Sequence, residues 1–165
     1  MSTHRTVRPA PAAGRVLPVI LLLVFVGAMP AHAQDNPGGD TLYERLGGLP
    51  AISLVVSDFL DVFIADPVIL ANPAVRERKT PEQAPYIKFQ VTTLVCELAG
   101  GPCQYTGLDL RTAHEGLNVS AEEWDRMVVI FAETLADHQV PEAEQEELFA
   151  LVGPARDDIV VGDDG

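Results

Sequence analysis

Gly100-Gly101-Pro102-Cys103-Gln104-Tyr105-Thr106-Gly107, followed by Leu110-Arg111-Thr112-Ala113-His114-Glu115-Gly116-Leu117, is the stretch on which the fold turns. A glycine pair ends a helix, a Tyr-Thr-Gly turn redirects the chain, and a short segment then presents one histidine. Gly107 and Gly116 allow tight entry and exit, so this segment reads as a brief helix. By spacing alone, a histidine on such a helix is more often a surface or satisfied core residue than a ligand. His114 is nonetheless one of two histidines beyond residue 33. The other, His138, precedes Gln139-Val140-Pro141 at a helix C-terminus, where an exposed imidazole meets the negative end of the helix dipole. That is a structural role.

Outward from this stretch, helical periodicity dominates and strand signals are weak. Ile52, Val55, Val56, Phe59 and Phe63 share one face of a helix that Asp66-Pro67 terminates. Trp124, Met127, Val128, Phe131 and Leu135 repeat those intervals after Ser120-Ala121-Glu122-Glu123, a capping box. Another helix covers about Pro85 to Ala99, and another begins with Pro141 in its first turn and ends near Gly153-Pro154. Residues 67–85 read as a connection with little periodicity, and short pieces are expected around 41–45 and 108–115. The fold class is all-α.

The first 33 residues stand apart. Arg5, Arg8 and Arg15 precede the apolar run Val16 to Met29, and Ala31-His32-Ala33 closes it with small residues. This order predicts a secretory signal peptide cleaved after Ala33 and an exported, periplasmic or secreted protein; an uncleaved membrane anchor is the alternative. The expected organisation is signal peptide 1–33, an extension 34–40, one domain 41–161 and an acidic tail 162–165. All 24 acidic residues but only 8 of the 11 basic ones follow residue 33, leaving a net charge of −16. Such a surface repels nucleic acid and anionic lipid, so neither is an expected partner of the mature chain.

Cys96 and Cys103 flank the glycine pair. In an oxidising compartment a local disulfide is expected, the alternative being one buried thiol and one loop thiol. No zinc-spaced Cys/His cluster, phosphate loop, dinucleotide fingerprint or Gly-x-Ser-x-Gly occurs. Glu122-Glu123 and Glu144 to Glu147 read as solvated helix faces, and Met127 as core. Asn118-Val119-Ser120 matches a glycosylation sequon, but its serine already serves as a cap.

Further motifs carry a resemblance. Thr41-Leu42-Tyr43-Glu44-Arg45-Leu46-Gly47-Gly48, Val55-Val56-Ser57-Asp58-Phe59-Leu60, Cys96 to Pro102, Tyr105-Thr106-Gly107 and Ala113 to Leu117 occur in that order. Together they resemble the group I truncated haemoglobins from about Asp40 to Val161. The resemblance implies a two-over-two helical sandwich around haem b, with His114 as the fifth ligand of the iron. It also implies a distal wall from the Pro85–Ala99 helix, with Ile87, Val91, Leu94 and Val95 at or beside the ligand. Lys88 and Arg111 are the nearest cations for the haem propionates.

The sequence also departs from that pattern. Many members carry a tyrosine after the second-helix phenylalanine and a glutamine on the distal helix; here Leu60 and Val91 stand there, with Ile87 nearby. Ala71-Asn72-Pro73 replaces the usual phenylalanine at the haem edge. Only Gln90, Thr92 or Tyr86 remains as a distal donor. The expected function is binding or carriage of a diatomic ligand, O2, NO or CO. One alternative is a haem enzyme for nitric oxide detoxification or peroxidase chemistry, which needs an external electron donor because no reductase domain accompanies the globin. The other is a cofactor-free helical interaction domain.

Overall fold

Thr41 opens the fold with a capping box. Its hydroxyl accepts from the Glu44 N–H at 3.2 Å, and the Glu44 carboxylate accepts from the Thr41 N–H at 2.9 Å, starting α1 (Leu42–Arg45). Gly47 and Gly48 then take φ of 88° and 73°, the left-handed region that glycine adopts without strain, and α2 (Gly48–Phe63) departs from this corner. The computed structural model describes residues 40–78 and 80–161. The expected signal peptide, most of the extension and the acidic tail lie outside them.

The remaining helices are α3 (Pro67–Ala71), α4 (Pro73–Arg78), α5 (Ala84–Leu98), α6 (Leu110–His114), α7 (Ala121–Asp137), α8 (Glu142–Val152) and, after a 3-10 turn, α9 (Arg156–Ile159). Among the described residues there is no strand, only an isolated bridge between Val119 and Val160. The α2 helix packs against α5 on one side and α7 on the other. This is the expected all-α, two-over-two arrangement. Its core is made by Ile52, Val56, Phe59 and Leu60 of α2 with Ile130, Phe131 and Leu135 of α7 and Leu148 of α8. Phe59 meets Phe131 edge-on at 5.2 Å, and Phe131 meets Phe149 at 5.5 Å, so one aromatic chain joins α2, α7 and α8. The apolar face read from α2 is the buried one.

Two expectations are corrected. The 67–85 connection contains two helices, each too short for periodicity to register. Asp66 caps α3, accepting from the Val68 N–H at 2.9 Å with Pro67 in the first turn, and the Asn72 side chain accepts from the Ala74 N–H at 2.9 Å to start α4. Pro141 is the residue before α8 rather than its first turn, with an extended ψ of 150°.

Asp66 also holds α3 to α7. Its other carboxylate oxygen accepts from Arg126 Nε and Nη2 at 2.9 and 2.8 Å, and Asp66 is buried. The Arg126 hydrogen bond, helped by the Val68 and Ile69 N–H groups, holds this carboxyl below the usual range despite the cost of burial. A depressed folded-state pKa contributes stability that is complete above the ordinary aspartate value of about 3.9 and lost as pH falls through the lower folded value. The difference in melting temperature between wild type and Asp66→Asn is therefore expected to be constant from neutral pH to about pH 5 and to shrink below about pH 4. Thermal melts of both proteins against pH measure it; a difference that does not shrink in acid argues against this ion pair.

At the end of α5, Cys96 is fully buried and disulfide-bonded to Cys103, with Cα atoms 5.8 Å apart. The Tyr43 N–H donates to the Ala99 carbonyl at 2.8 Å, tying α1 to the same corner. Gly101 sits inside this knot: a Cβ there would lie 2.5 Å from the Tyr43 ring, 2.7 Å from Cys96 Sγ and 2.8 Å from the Cys96 carbonyl oxygen. Gly101→Ala is expected to lower stability by about 2–4 kcal/mol, because a ring, a disulfide and backbone would all have to move. Chemical denaturation measures this, and a loss under about 0.5 kcal/mol would contradict the packing.

Candidate haem-binding site

The chain reaches the histidine through a braced turn. Glu97 near the end of α5 accepts from the Tyr105 N–H at 2.6 Å, and the Tyr105 hydroxyl donates to the Leu108 carbonyl at 2.6 Å. The phenol ring thereby folds over Gly107, where a Cβ would lie 2.4 Å from its oxygen. This explains glycine in the Tyr-Thr-Gly turn. Burial, then the nearby Tyr86 and Asp109, push the Tyr105 phenol up from its ordinary pKa. Tyr86 at the start of α5 is thus a neighbour of the lead-in to α6.

Asp109 caps α6, its carboxylate accepting from the Thr112 N–H at 2.9 Å, and this hydrogen bond holds its pKa down. The helix is only five residues long and packs mainly on α9. Arg111 donates to Asp158 of α9 at 2.6 Å. On the other side Arg78 of α4 donates to the Glu115 carbonyl at 2.6 Å, and the Asn72 amide donates to the Leu117 carbonyl at 2.9 Å. So short a helix is not stable by itself; these four anchors set its position.

His114 is half-buried at the end of α6, and its Nδ1 lies 2.8 Å from the Leu110 carbonyl oxygen. A carbonyl only accepts, so Nδ1 carries the proton. In the neutral ring Nε2 then keeps its lone pair, the tautomer and bracing that metal-ligating histidines use. His138 is different. It closes α7 and its Nε2 lies 2.9 Å from the Asp58 carboxylate of α2, half-buried rather than exposed as the sequence suggested, so that nitrogen is engaged.

The other expected residues divide. Leu60 is buried in the core, and Val91 and Val95 pack against it. Ile87 is 43% exposed, and Tyr86 and Leu108, around the Tyr105 turn, are 61% and 59% exposed. These side chains present exposed apolar surface on α5 and on the lead-in to α6. The expected propionate partners are already engaged: Lys88 Nζ donates to Asp61 at 2.7 Å and Ser57 at 2.9 Å, and Arg111 is held by Asp158. Reading the sequence missed Asp109, Asn72 and Arg78. The Asp109-to-Thr112 spacing is a legible cap signal, whereas the two long-range clasps leave no local trace.

A separate open groove of about 710 Å3 runs between α3 and the start of α7, lined by Pro67, Val68, Ala71, Ser120, Glu122 and Glu123 among others. It contains no histidine and its charged groups are carboxylates. We place the site instead at His114, which carries the ligand chemistry. Among the described residues there is no cluster of His, Cys, Asp and Glu able to hold a bare metal ion. A single available imidazole fits a metal that brings its own further ligands, as haem does.

The bacterial-like globin family matches residues 41–160, almost the whole described part of the chain. The chain belongs to that family. Among its relatives, this globin is 28% identical over 120 residues to a group 1 truncated hemoglobin of Tetrahymena pyriformis, covering 73% of this chain and 94% of the relative. It is 23% identical over 125 residues to the group 1 truncated hemoglobin GlbN of Mycolicibacterium paratuberculosis, covering 76% and 88%. The crystal structure of the Tetrahymena pyriformis truncated hemoglobin in its Fe(III) form superposes with a TM-score of 0.63 at 27% identity, over 73% of this chain and 98% of that one. These likenesses support the group I truncated type, and family membership implies a haem iron and a small gaseous ligand.

Proposed function

We propose that this globin is an exported protein that holds haem b through His114 and binds oxygen or another diatomic gas. The observation that carries the reading is the 2.8 Å contact of His114 Nδ1 with the Leu110 carbonyl, which leaves Nε2 as the free ligating atom on a firmly anchored helix. Haem, when bound, would supply the iron that takes up the gas. The chain supplies everything else. His114 would hold the iron through Nε2, its ring oriented by the Nδ1 contact with the Leu110 carbonyl. Leu60, with Val91 and Val95 packed against the core around it, would supply the apolar distal wall. Carbon monoxide, nitric oxide and oxygen are all small enough for such a site, and oxygen is the one whose retention most needs a nearby hydrogen-bond donor.

Two features support export: the basic, apolar and small-residue order of residues 1–33, and the Cys96–Cys103 disulfide, a bond that persists in oxidising compartments. Among the described residues no helix is long and apolar enough to cross a membrane. The decisive experiment is an absorption spectrum of chain 34–165 refolded or expressed with haem supplied. A Soret band at one haem per chain, shifting on reduction and on addition of carbon monoxide, is the expected result. A protein that folds but takes up no haem under these conditions rejects the reading.

A further inference from the structure

The loop that carries the chain from α5 to His114 is fastened by side chains. Among the described residues no backbone–backbone hydrogen bond involves residues 102–108. What bonds this loop to α5 there is the Cys96–Cys103 disulfide and the Tyr105 N–H donated to Glu97 at 2.6 Å. Beyond the histidine, Arg78 and Asn72 hold the Glu115 and Leu117 carbonyls, and within α6 Arg111 pairs with Asp158. The disulfide is therefore the covalent tie on the upstream side of His114. Its two sulfurs differ in access. Cys96 is fully buried against Gly101, whereas Cys103 is half-buried between the exposed Pro102 and Gln104. An attacking thiolate needs a reachable sulfur, and Cys103 offers it.

We infer that Cys96 and Cys103 form a redox switch on haem retention, closed as the disulfide and opened by a protein dithiol. One thiolate of the dithiol attacks Cys103 Sγ, the S–S bond breaks, and Cys96 leaves as a thiolate that takes up a proton. The second thiolate then attacks the sulfur of the dithiol in the mixed disulfide, and Cys103 leaves and is protonated in turn. Two electrons and two protons pass to the globin, and the dithiol ends as a disulfide. The loop then keeps only the Glu97–Tyr105 hydrogen bond to α5, and α6 is left held from its downstream side. A five-residue helix has little stability of its own, so His114 loses its fixed position. The switch rests on the haem-binding reading above. Linkage makes it reciprocal: bound haem must resist opening of the disulfide by the same factor by which the disulfide favours haem.

The test compares haem-loaded wild type, the same protein treated with dithiothreitol, and Cys103→Ser, which leaves Cys96 packed in place. Transfer of haem to a haem-free acceptor globin is expected to be about ten- to hundredfold faster in the two open forms, the range of a coupling between two sites. Dithiothreitol should not change the rate in Cys103→Ser, which separates opening of the disulfide from reduction of the iron. The iron–histidine stretching band of the ferrous protein should shift between closed and open forms, reporting the histidine itself. In the haem-free chain, opening should raise amide hydrogen exchange in residues 103–117 and leave α2 and α7 unchanged. Haem transfer that differs by less than about twofold overturns the switch, as does a bond that dithiothreitol opens only in denaturant. Loss of helical circular dichroism on opening also overturns it, because the bond then holds the whole fold. A folded wild type with no Soret band overturns the haem reading, and this role with it.

Discussion

His114→Ala is expected to abolish stoichiometric haem retention, while His138→Ala retains a full complement. The two histidines are the imidazoles available beyond residue 33, and the structure gives them opposite roles. His138 engages its Nε2 with the Asp58 carboxylate, a contact joining the end of α7 to α2; removing a partly exposed polar contact of this kind costs about 0.5 kcal/mol and touches no ligand site. His114 uses Nδ1 locally and keeps Nε2 for a metal. Haem stoichiometry and the ferrous Soret band of each variant are the measurement. Because His114 also contributes a bond inside α6, circular dichroism must show that His114→Ala still folds. Added imidazole should then restore a five-coordinate spectrum by filling the vacated position. Equal haem retention in His114→Ala and wild type would end the assignment.

The parts of the molecule that were legible in the sequence are those fixed by neighbours in the chain. The capping box at Ser120, the glycine corner at 47–48 and the apolar face of α2 each lie within one or two helical turns, and each is present. The local disulfide was expected too, since only six residues lie between Cys96 and Cys103 around a glycine turn. What escaped was set by distance or by brevity. The α3 and α4 helices have five and six residues, too few to display a period. The α6 helix owes its position to Asn72 and Arg78, roughly forty residues upstream, through backbone carbonyls that no side-chain pattern records. The site divides in the same way. His114 was singled out because the ordered motifs around it resemble the truncated haemoglobins, spacing alone favouring a surface or core histidine, whereas Lys88 and Arg111 were chosen for charge and proximity alone. Their carboxylate partners, Asp61 and Asp158, could not be paired with them before the fold was known.

The second large effect is expected at Leu60. Leu60→Tyr should slow oxygen release about ten- to hundredfold, the range a hydrogen bond to a partly charged ligand is worth when it is buried. Leu60 lies on α2 beside Phe59, in the place where many truncated haemoglobins carry tyrosine, and its side chain is 7% exposed within the core cluster. The larger phenol cannot be absorbed by packing that is already close, so it either turns toward the α5 side or strains the core by about 1–3 kcal/mol. Stopped-flow displacement of oxygen, with carbon monoxide as the weakly affected comparison, separates these outcomes when read beside a thermal melt. Slower oxygen release with little change in stability means that α2 and α5 frame the ligand together. Lower stability with unchanged release means that residue 60 points into the core alone, and the assigned distal pocket is wrong.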